Sequence, residues 1–117
     1  MPVWFRTTGV VAEIGCVGDC DVETAPEMED ALVRAARRGF RLFLIDLSRS
    51  RFLDSRGLRM LLRARGEADA AGGSAVVVGL QRQPRRALDV VGLRRVLRCV
   101  RTRAQAMAYL QCAALAA

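Results

Sequence analysis

The stretch LFLIDLSRSRFLDSRGLRMLL, residues 42–62, carries the strongest structural signal in this 117-residue chain. Its apolar beginning is typical of a strand buried on both faces, and its end has the periodicity of a helix. The heptad at residues 52–58 joins the two and places Ser55 where the helix is expected to begin, after Asp54 and just before Gly57. A helix N-terminus has unpaired N–H groups and a positive dipole end, so it tolerates an added anion. Ser55 is therefore a candidate for reversible phosphorylation.

The helix that follows the heptad is expected to have two distinct faces. At about 100° per residue, Arg56, Arg59 and Arg63 fall on the same side as Ser55 and are predicted to form a stripe of positive charge. The opposite arc is predicted to face the sheet and comprises Leu58, Leu61, Leu62, Ala64 and Ala68. Two simpler interpretations stay open here. Asp54 and Ser55 are both good helix caps, and the arginines could form an ordinary solvated face.

Strand and helix patterns alternate along the rest of the chain. Thr24 and Glu27 have the spacing of a capping box, which predicts a helix start, and Gly39 is a natural helix end. The predicted strands are residues 3–8, 10–16, 41–47, 75–80 and, as a short edge strand, 95–100. The further helices are predicted at residues 55–71, 83–91 and 102–113.

This order of elements predicts an α/β fold. Strands that alternate with helices build a sheet with right-handed crossovers, here a mixed sheet of four to five strands flanked by about four helices. The chain contains no linker, so residues 1–117 are expected to form a single domain. Functional loops of such sheets follow the C-terminal ends of the strands. Residues 17–23 and residues 48–54 are the two loops that fit this description.

The composition argues against several classes of function. Hydrophobic residues make up 52% and charged residues 26% of the chain, as in a globular domain. The sequence contains no histidine, which removes catalytic triads and the usual base at neutral pH. The four cysteines complete neither a zinc site nor a disulfide framework. We therefore expect no enzymatic activity, no cofactor and no metal site.

Positive charge is unevenly distributed along the chain. The net charge is +7, every basic residue is an arginine, and residues 49–117 carry +10, from fourteen arginines against four acidic residues. A basic half fits a nucleic acid, an anionic membrane or an acidic protein partner. Nucleic acid is disfavoured, because only six residues are aromatic and four of them precede residue 44.

The sequence shows no signal for membrane insertion or export. No apolar run approaches the roughly 18 residues that span a bilayer. The first residues lack a basic segment followed by an apolar one. The expected location is the cytoplasm, with no transmembrane segment.

Several motifs, taken in order, resemble a STAS domain, in particular the bacterial anti-sigma factor antagonists. The resemblance covers about residues 9–113. It depends on GDCDVETAP at 18–26, LIDLS at 44–48, FLDSRGL at 52–58, AGG at 71–73, VVVG at 76–79 and ALDVVGL at 87–93. The order and spacing of these motifs, more than any one of them, make the resemblance specific. It implies a mixed sheet flanked by helices.

The resemblance also implies a partner-switching function. In that scheme the unphosphorylated antagonist binds an anti-sigma factor, which is a serine kinase with an ATP site, and so frees a sigma factor. The kinase phosphorylates the serine that corresponds to Ser55, and a metal-dependent serine phosphatase reverses the reaction. Asp54 corresponds to the acid before that serine and Asp21 to the loop acid near the site. The partner-binding surface is expected to comprise Asp21, Asp54, Arg56, Gly57, Arg59 and Arg63.

One position departs from the family pattern. The usual run is Asp-Ser-Ser/Thr-Gly, but here Arg56 replaces the second hydroxyl residue. An arginine beside a phosphoserine could pair with the phosphate, or it could clash with a kinase that expects a small residue. An alternative function therefore stays open: a STAS scaffold or adaptor that is not phosphorylated and docks an acidic partner through its arginine-rich helix face.

Overall fold

The computed structural model describes residues 2–116, which form a five-stranded sheet with helices on both faces. The strands are β1 (Val3–Thr8), β2 (Val11–Val17), β3 (Leu42–Arg49), β4 (Ser74–Val78) and β5 (Arg98–Val100). The helices are α1 (Ala25–Arg37), α2 (Ser55–Ala70), α3 (Arg82–Val90) and α4 (Arg103–Ala116). The predicted α/β fold, with a mixed sheet and four flanking helices, is confirmed.

The strands lie in the sheet in the order in which they occur in the chain. β1 and β2 form an antiparallel hairpin, and Gly9 supplies the positive φ of 59° that the tight turn needs. β2, β3, β4 and β5 are mutually parallel. Because parallel connections cross over in the right-handed sense, α1, α2 and α3 all pack on the same face of the sheet.

Both faces of the central strands are buried. Phe43 and Ile45 of β3 pack in the core beneath α1, α2 and α3. Leu42 and Leu44 of the same strand face α4, which alone covers the other side. This two-sided burial explains why β3 is a continuous apolar run rather than an alternating one. Within residues 2–116, no helix has the length and apolar character needed to cross a bilayer.

The buried face of α2 differs in part from the prediction. It consists of Gly57, Met60, Leu61, Ala64 and Ala68. The predicted Leu62 is instead 43% exposed, and Leu58 is half-buried. The reason is Gly57, which has no side chain and lets the first turn of α2 approach the neighbouring loops closely. The helix therefore turns the side of Gly57 and Met60 to the core.

Two further local predictions need correction. α1 begins after Thr24 as expected, but the Thr24 side chain does not cap the helix. Its hydroxyl instead donates to the Asp19 carbonyl at 2.7 Å and accepts from the Asp21 N–H at 3.1 Å, so it closes the preceding loop. The edge strand β5 is also shorter than predicted, because Leu93–Arg95 forms a 3-10 turn.

A buried carboxylate connects the hairpin to α4. Glu13 of β2 accepts hydrogen bonds from Arg103 Nε and Nη2, both at 2.8 Å, from Arg6 Nη2 at 3.0 Å and from the Thr8 hydroxyl at 2.6 Å. The hydrogen bond from Arg103, helped by those from Arg6 and Thr8, lowers the pKa of Glu13 to about 2, although burial acts in the opposite direction. Glu13 therefore stays charged and holds the first turn of α4 against the sheet.

Candidate functional site

The two loops that the sequence singled out lie side by side at the carboxyl ends of β2 and β3. Backbone hydrogen bonds join them: Gly18 N–H donates to the Arg49 carbonyl at 3.0 Å, and Cys20 N–H donates to the Phe52 carbonyl at 2.9 Å. Asp54 N–H in turn donates to the Cys20 carbonyl at 3.3 Å. A parallel bridge between Cys20 and Leu53 completes this contact. The loops are thus held in one surface.

Ser55 is the exposed first residue of α2. The preceding Asp54 is the N-cap, and its Oδ1 accepts hydrogen bonds from the backbone N–H of Arg56 at 2.9 Å and of Gly57 at 3.0 Å. The capping carboxylate therefore already occupies two of the amides that a helix N-terminus would offer to an anion. A phosphate on Ser55 would stand beside this carboxylate, on the solvent side, rather than replace it.

Gly57 is required by the close approach of α2 to the two loops. The glycine is buried, and a Cβ at this position would lie 2.7 Å from the Cys20 carbonyl oxygen and would overlap the Leu53 side chain. Only glycine avoids both collisions. The position contributes to the site by bringing the start of α2 against the loops, and its own atoms are hidden from a partner.

Asp21 closes the first loop and lies next to the residue that bridges to Asp54. Its Oδ1 accepts hydrogen bonds from the backbone N–H of Glu23 at 3.0 Å and of Thr24 at 3.3 Å. Because Cys20 precedes Asp21 and contacts Asp54 directly, both carboxylates belong to the same end of the molecule. The family resemblance predicts Asp21 near this site, and the structure holds its loop beside the loop of Asp54.

Arg56 does not form part of an open stripe beside Ser55. Its Nη2 donates to Glu29 Oε2 of α1 at 2.7 Å, and the side chain is largely buried between the two helices. The hydrogen bond from Arg56 lowers the pKa of Glu29. Arg59 is exposed, and Arg63 is exposed and pairs with Glu67 one turn further along α2 at 3.3 Å. The solvated part of the predicted stripe is therefore Arg59 and Arg63.

Gln83 at the start of α3 is a positioning residue that sequence reasoning missed. Its Oε1 accepts from the Leu53 N–H at 2.8 Å, and its Nε2 donates to the Leu53 carbonyl at 3.1 Å. The two bonds hold the second loop against α3. Gln83 lies 30 residues from Leu53 in the chain, so no local pattern reveals this contact.

Exposed apolar side chains border the acidic loops. Phe52 is 43% and Val22 is 68% exposed, and Val17 at the end of β2 is also exposed. Cys20, in contrast, is fully buried, and the neighbouring Cys16 thiol together with burial raises the pKa of the Cys20 thiol. Across residues 2–116, no three side chains of types that ligate metals form a cluster. The surface therefore offers apolar contacts, the exposed hydroxyls of Ser48 and Ser55, and the four carboxylates of Asp19, Asp21, Glu23 and Asp54.

The fold is an α/β domain in which two adjacent loops present a serine at the start of a helix. Comparison with known proteins identifies the family of this domain. A family model described as STAS_2, "Mlab, STAS domain", matches residues 4–100. The chain therefore belongs to the STAS-domain family. Among curated proteins, no match to the chain was found.

Solved structures similar to this chain include anti-sigma factor antagonists. One from Mycobacterium paratuberculosis is 25% identical, with a TM-score of 0.83 over 93% of this chain and 92% of that one. Protein TM1081 of Thermotoga maritima is 17% identical, with a TM-score of 0.86 over 93% and 94%. The Bacillus cell fate determinant SpoIIAA, in its phosphorylated form, is 18% identical, with a TM-score of 0.73 over 92% and 97%. The domain thus resembles anti-sigma factor antagonists.

Proposed function

We propose that this protein is an anti-sigma factor antagonist that binds an anti-sigma serine kinase and is switched off by phosphorylation of Ser55. The observation that carries the proposal is the position of Ser55: an exposed hydroxyl at the start of α2, beside the Asp54 carboxylate and the loop of Asp21. A metal-dependent serine phosphatase would restore the binding form. The role is that of a binding module in the cytoplasm, without catalysis of its own.

The geometry supports a switch that works by charge and bulk. A phosphate adds about −1.5 to −2 charge at neutral pH. Because Asp54 already accepts the N–H groups of the first turn, this charge would be presented to a partner. Like charges brought together in an interface cost several kcal/mol, and about 1.4 kcal/mol is already a tenfold loss of affinity. No large change of the fold is needed.

The exposed apolar side chains beside the two loops supply the attractive part of such an interface. Phe52 and Val22 are exposed on the two loops that flank Ser55. Specific protein interfaces bury aromatic and apolar side chains next to polar groups that exchange hydrogen bonds with the partner. A partner that covers both loops would bury these side chains and place the Ser55 hydroxyl inside the contact.

Phosphorylation and binding by a purified anti-sigma serine kinase test the proposal. Incubation with ATP and magnesium is expected to add one phosphoryl group by intact mass, and Ser55→Ala is expected to add none. Ser48→Ala, which removes another exposed serine hydroxyl, is the control for the site of phosphorylation and should still gain one phosphoryl group. Ser55→Asp is expected to weaken kinase binding at least about tenfold. Phosphorylation of Ser55→Ala, or full binding by Ser55→Asp, would contradict the proposal.

The second candidate function is a scaffold that is not phosphorylated and docks an acidic partner. The exposed Arg59 and Arg63 of α2 are the observation that favours it. Removal of both charges by Arg59→Ala/Arg63→Ala should then weaken partner binding strongly, whereas Ser55→Asp should leave it unchanged. The opposite result favours the phosphorylated antagonist.

Arg56, which stands where the family usually has a serine or threonine, is predicted not to block the kinase. The Arg56 guanidinium is bound to Glu29 of α1 and so is held away from the Ser55 hydroxyl. We expect Arg56→Ser to change kcat/KM for phosphorylation less than about tenfold, or 1.4 kcal/mol. A much larger increase in kcat/KM for Arg56→Ser, measured with the purified kinase, would show that the arginine obstructs phosphorylation.

A further inference from the structure

The positive charge of the molecule is concentrated on one edge. Residues 82–101, which form α3, the 3-10 turn and β5, contain seven arginines and one acidic residue, a net charge of +6. The remainder of the chain contains twelve arginines and eleven acidic residues and is almost neutral. All seven arginines are exposed. We call the surface of residues 82–101 the basic edge.

Five arginines of the basic edge form a continuous surface. Arg94, Arg95 and Arg98 line a cleft of about 440 Å³. Arg85 and Arg101, together with the same Arg94, line a second cleft of about 230 Å³. Because Arg94 borders both clefts, the five guanidinium groups belong to one surface rather than to scattered positions.

This charge is poorly neutralised within the molecule. Among the described residues, the only carboxylate paired with an arginine of the basic edge is Asp89, which lies 3.3 Å from Arg94. Arg98 stacks over the ring of Tyr109 at 4.1 Å, and Arg85 donates to the Leu80 carbonyl at 3.3 Å. These contacts fix the orientation of two guanidinium groups but leave their charge available to an external anion.

Exposed valines project from the same edge. Val90 is 78% exposed, Val91 is 54% exposed and Val96 is 42% exposed. They flank the 3-10 turn that carries Arg94 and Arg95, and Val96 lines the larger cleft. Apolar side chains surrounded by arginines are the composition of a surface that enters the headgroup region of an anionic bilayer.

We propose that the basic edge is a peripheral binding surface for membranes rich in anionic phospholipids. Phosphate groups of the headgroups would pair with the guanidinium groups, and the valine side chains would enter the boundary of the acyl region. Nucleic acid fits less well, because it offers no apolar phase for the valines and because Arg98 already covers the ring of Tyr109. This inference is independent of the function proposed for Ser55.

The basic edge begins beside the Ser55 site. Gln83, at the start of α3, contacts the phosphoacceptor loop, whereas Val90 and Val91 lie at the other end of the same helix, about 10 Å away along its axis. The start of the basic edge therefore borders the phosphoacceptor loop, where Arg82 and Arg86 line a cleft with Arg51, and the exposed valines lie at the far end of α3.

Sedimentation with vesicles tests the inference on the full chain. Wild type is expected to bind vesicles of phosphatidylglycerol and phosphatidylcholine but not vesicles of phosphatidylcholine alone, and to dissociate when salt rises from about 0.1 M to 1 M, since the Debye length then falls from about 10 Å to 3 Å. Arg95→Ala/Arg101→Ala should weaken binding about 25-fold, at about fivefold for each charge. Val90→Ser/Val91→Ser should weaken it at least about fivefold.

A variant that loses the same number of charges elsewhere distinguishes binding through the basic edge from binding through the net charge of the whole protein. Arg34→Ala/Arg37→Ala removes two exposed arginines from α1 and should leave vesicle binding nearly unchanged. Circular dichroism of every variant checks that the fold is retained, and Arg95→Glu/Arg98→Glu is a second pair if the first variant does not fold. Equal losses from the α1 pair and the edge pair would overturn the proposal. So would equal binding to neutral vesicles, or tighter binding to duplex DNA that the valine substitutions leave unchanged.

Discussion

Glu13 shows how a single residue can keep a charge inside the core. Its carboxylate is fully buried, yet three side chains donate hydrogen bonds to it. The pKa of Glu13 is about 2 in the folded protein, whereas the ordinary pKa of a glutamate side chain is 4.5. Because the folded-state pKa is the lower one, the stabilisation is complete above about pH 4.5 and is lost as the pH falls toward 2.

Glu13→Gln is therefore predicted to destabilise the protein mainly at neutral pH. The expected loss is on the order of 2 to 3 kcal/mol in the free energy of unfolding at pH 7, and a smaller loss at pH 3, where part of the wild-type contribution has gone. Urea denaturation at both pH values measures the difference. Glu23→Gln, which removes an exposed carboxylate, is the control, and equal losses in the two variants would contradict the prediction.

At the scale of elements, α2 depends on its glycines in two opposite ways. Gly57 is enclosed by Leu53 and Cys20, whereas Gly66 on the same helix has no heavy atom within 4 Å of the position of a Cβ. The first glycine allows close packing, and the second only adds backbone freedom to a helix interior. The same substitution at the two positions should therefore have opposite effects.

Gly57→Ala is predicted to lower the free energy of unfolding by about 1 to 3 kcal/mol, because the new methyl group must displace a backbone carbonyl or a buried leucine. Gly66→Ala is predicted to raise it by about 0.5 to 1 kcal/mol, through the loss of glycine's backbone freedom. Thermal and urea denaturation measure both variants. If Gly57→Ala stabilises the protein, the loops must move aside at little cost, and the close packing of Gly57 against Leu53 and Cys20 would be contradicted.

The elements themselves could be read from the sequence, and their mutual contacts could not. The apolar run of β3 and the Asp54-Ser55 helix start depend on local pattern, and both were predicted correctly. The Arg56–Glu29 pair joins residues 27 positions apart, and the contact of Gln83 with Leu53 joins residues 30 apart. Such contacts depend on how α1, α2 and α3 are arranged on the sheet. For the same reason the exposure of Leu62 was predicted wrongly.

At the scale of the whole molecule, the sheet is protected unequally on its two faces. Three helices cover one face, while α4 alone covers the other with Ala106, Met107 and Leu110. The match to the STAS family model ends at residue 100, before α4 begins. The second face thus depends on one helix, fixed at its start by the ion pair between Arg103 and Glu13.

Leu110→Ala is predicted to destabilise the domain by about 2 to 5 kcal/mol, because it leaves a cavity against Leu44 and Val76. Leu115→Ala on the same helix, at a position that is 88% exposed, should change the free energy of unfolding by less than about 0.5 kcal/mol. Chemical denaturation followed by circular dichroism and by Trp4 fluorescence compares the two. If the domain is one cooperative unit, both probes will report the same midpoint.

The strand order also determines what a growing polypeptide can build on the ribosome. Synthesis starts at the N-terminus, so the hairpin of β1 and β2 is synthesised before the other strands. Each later strand then pairs with the strand synthesised just before it. No later strand has to insert between two strands that are already paired. The face that carries Leu44, Val76 and Val78, however, stays bare until α4 has been translated. A nascent chain of this protein therefore exposes part of this apolar face from the emergence of β3 until α4 is complete.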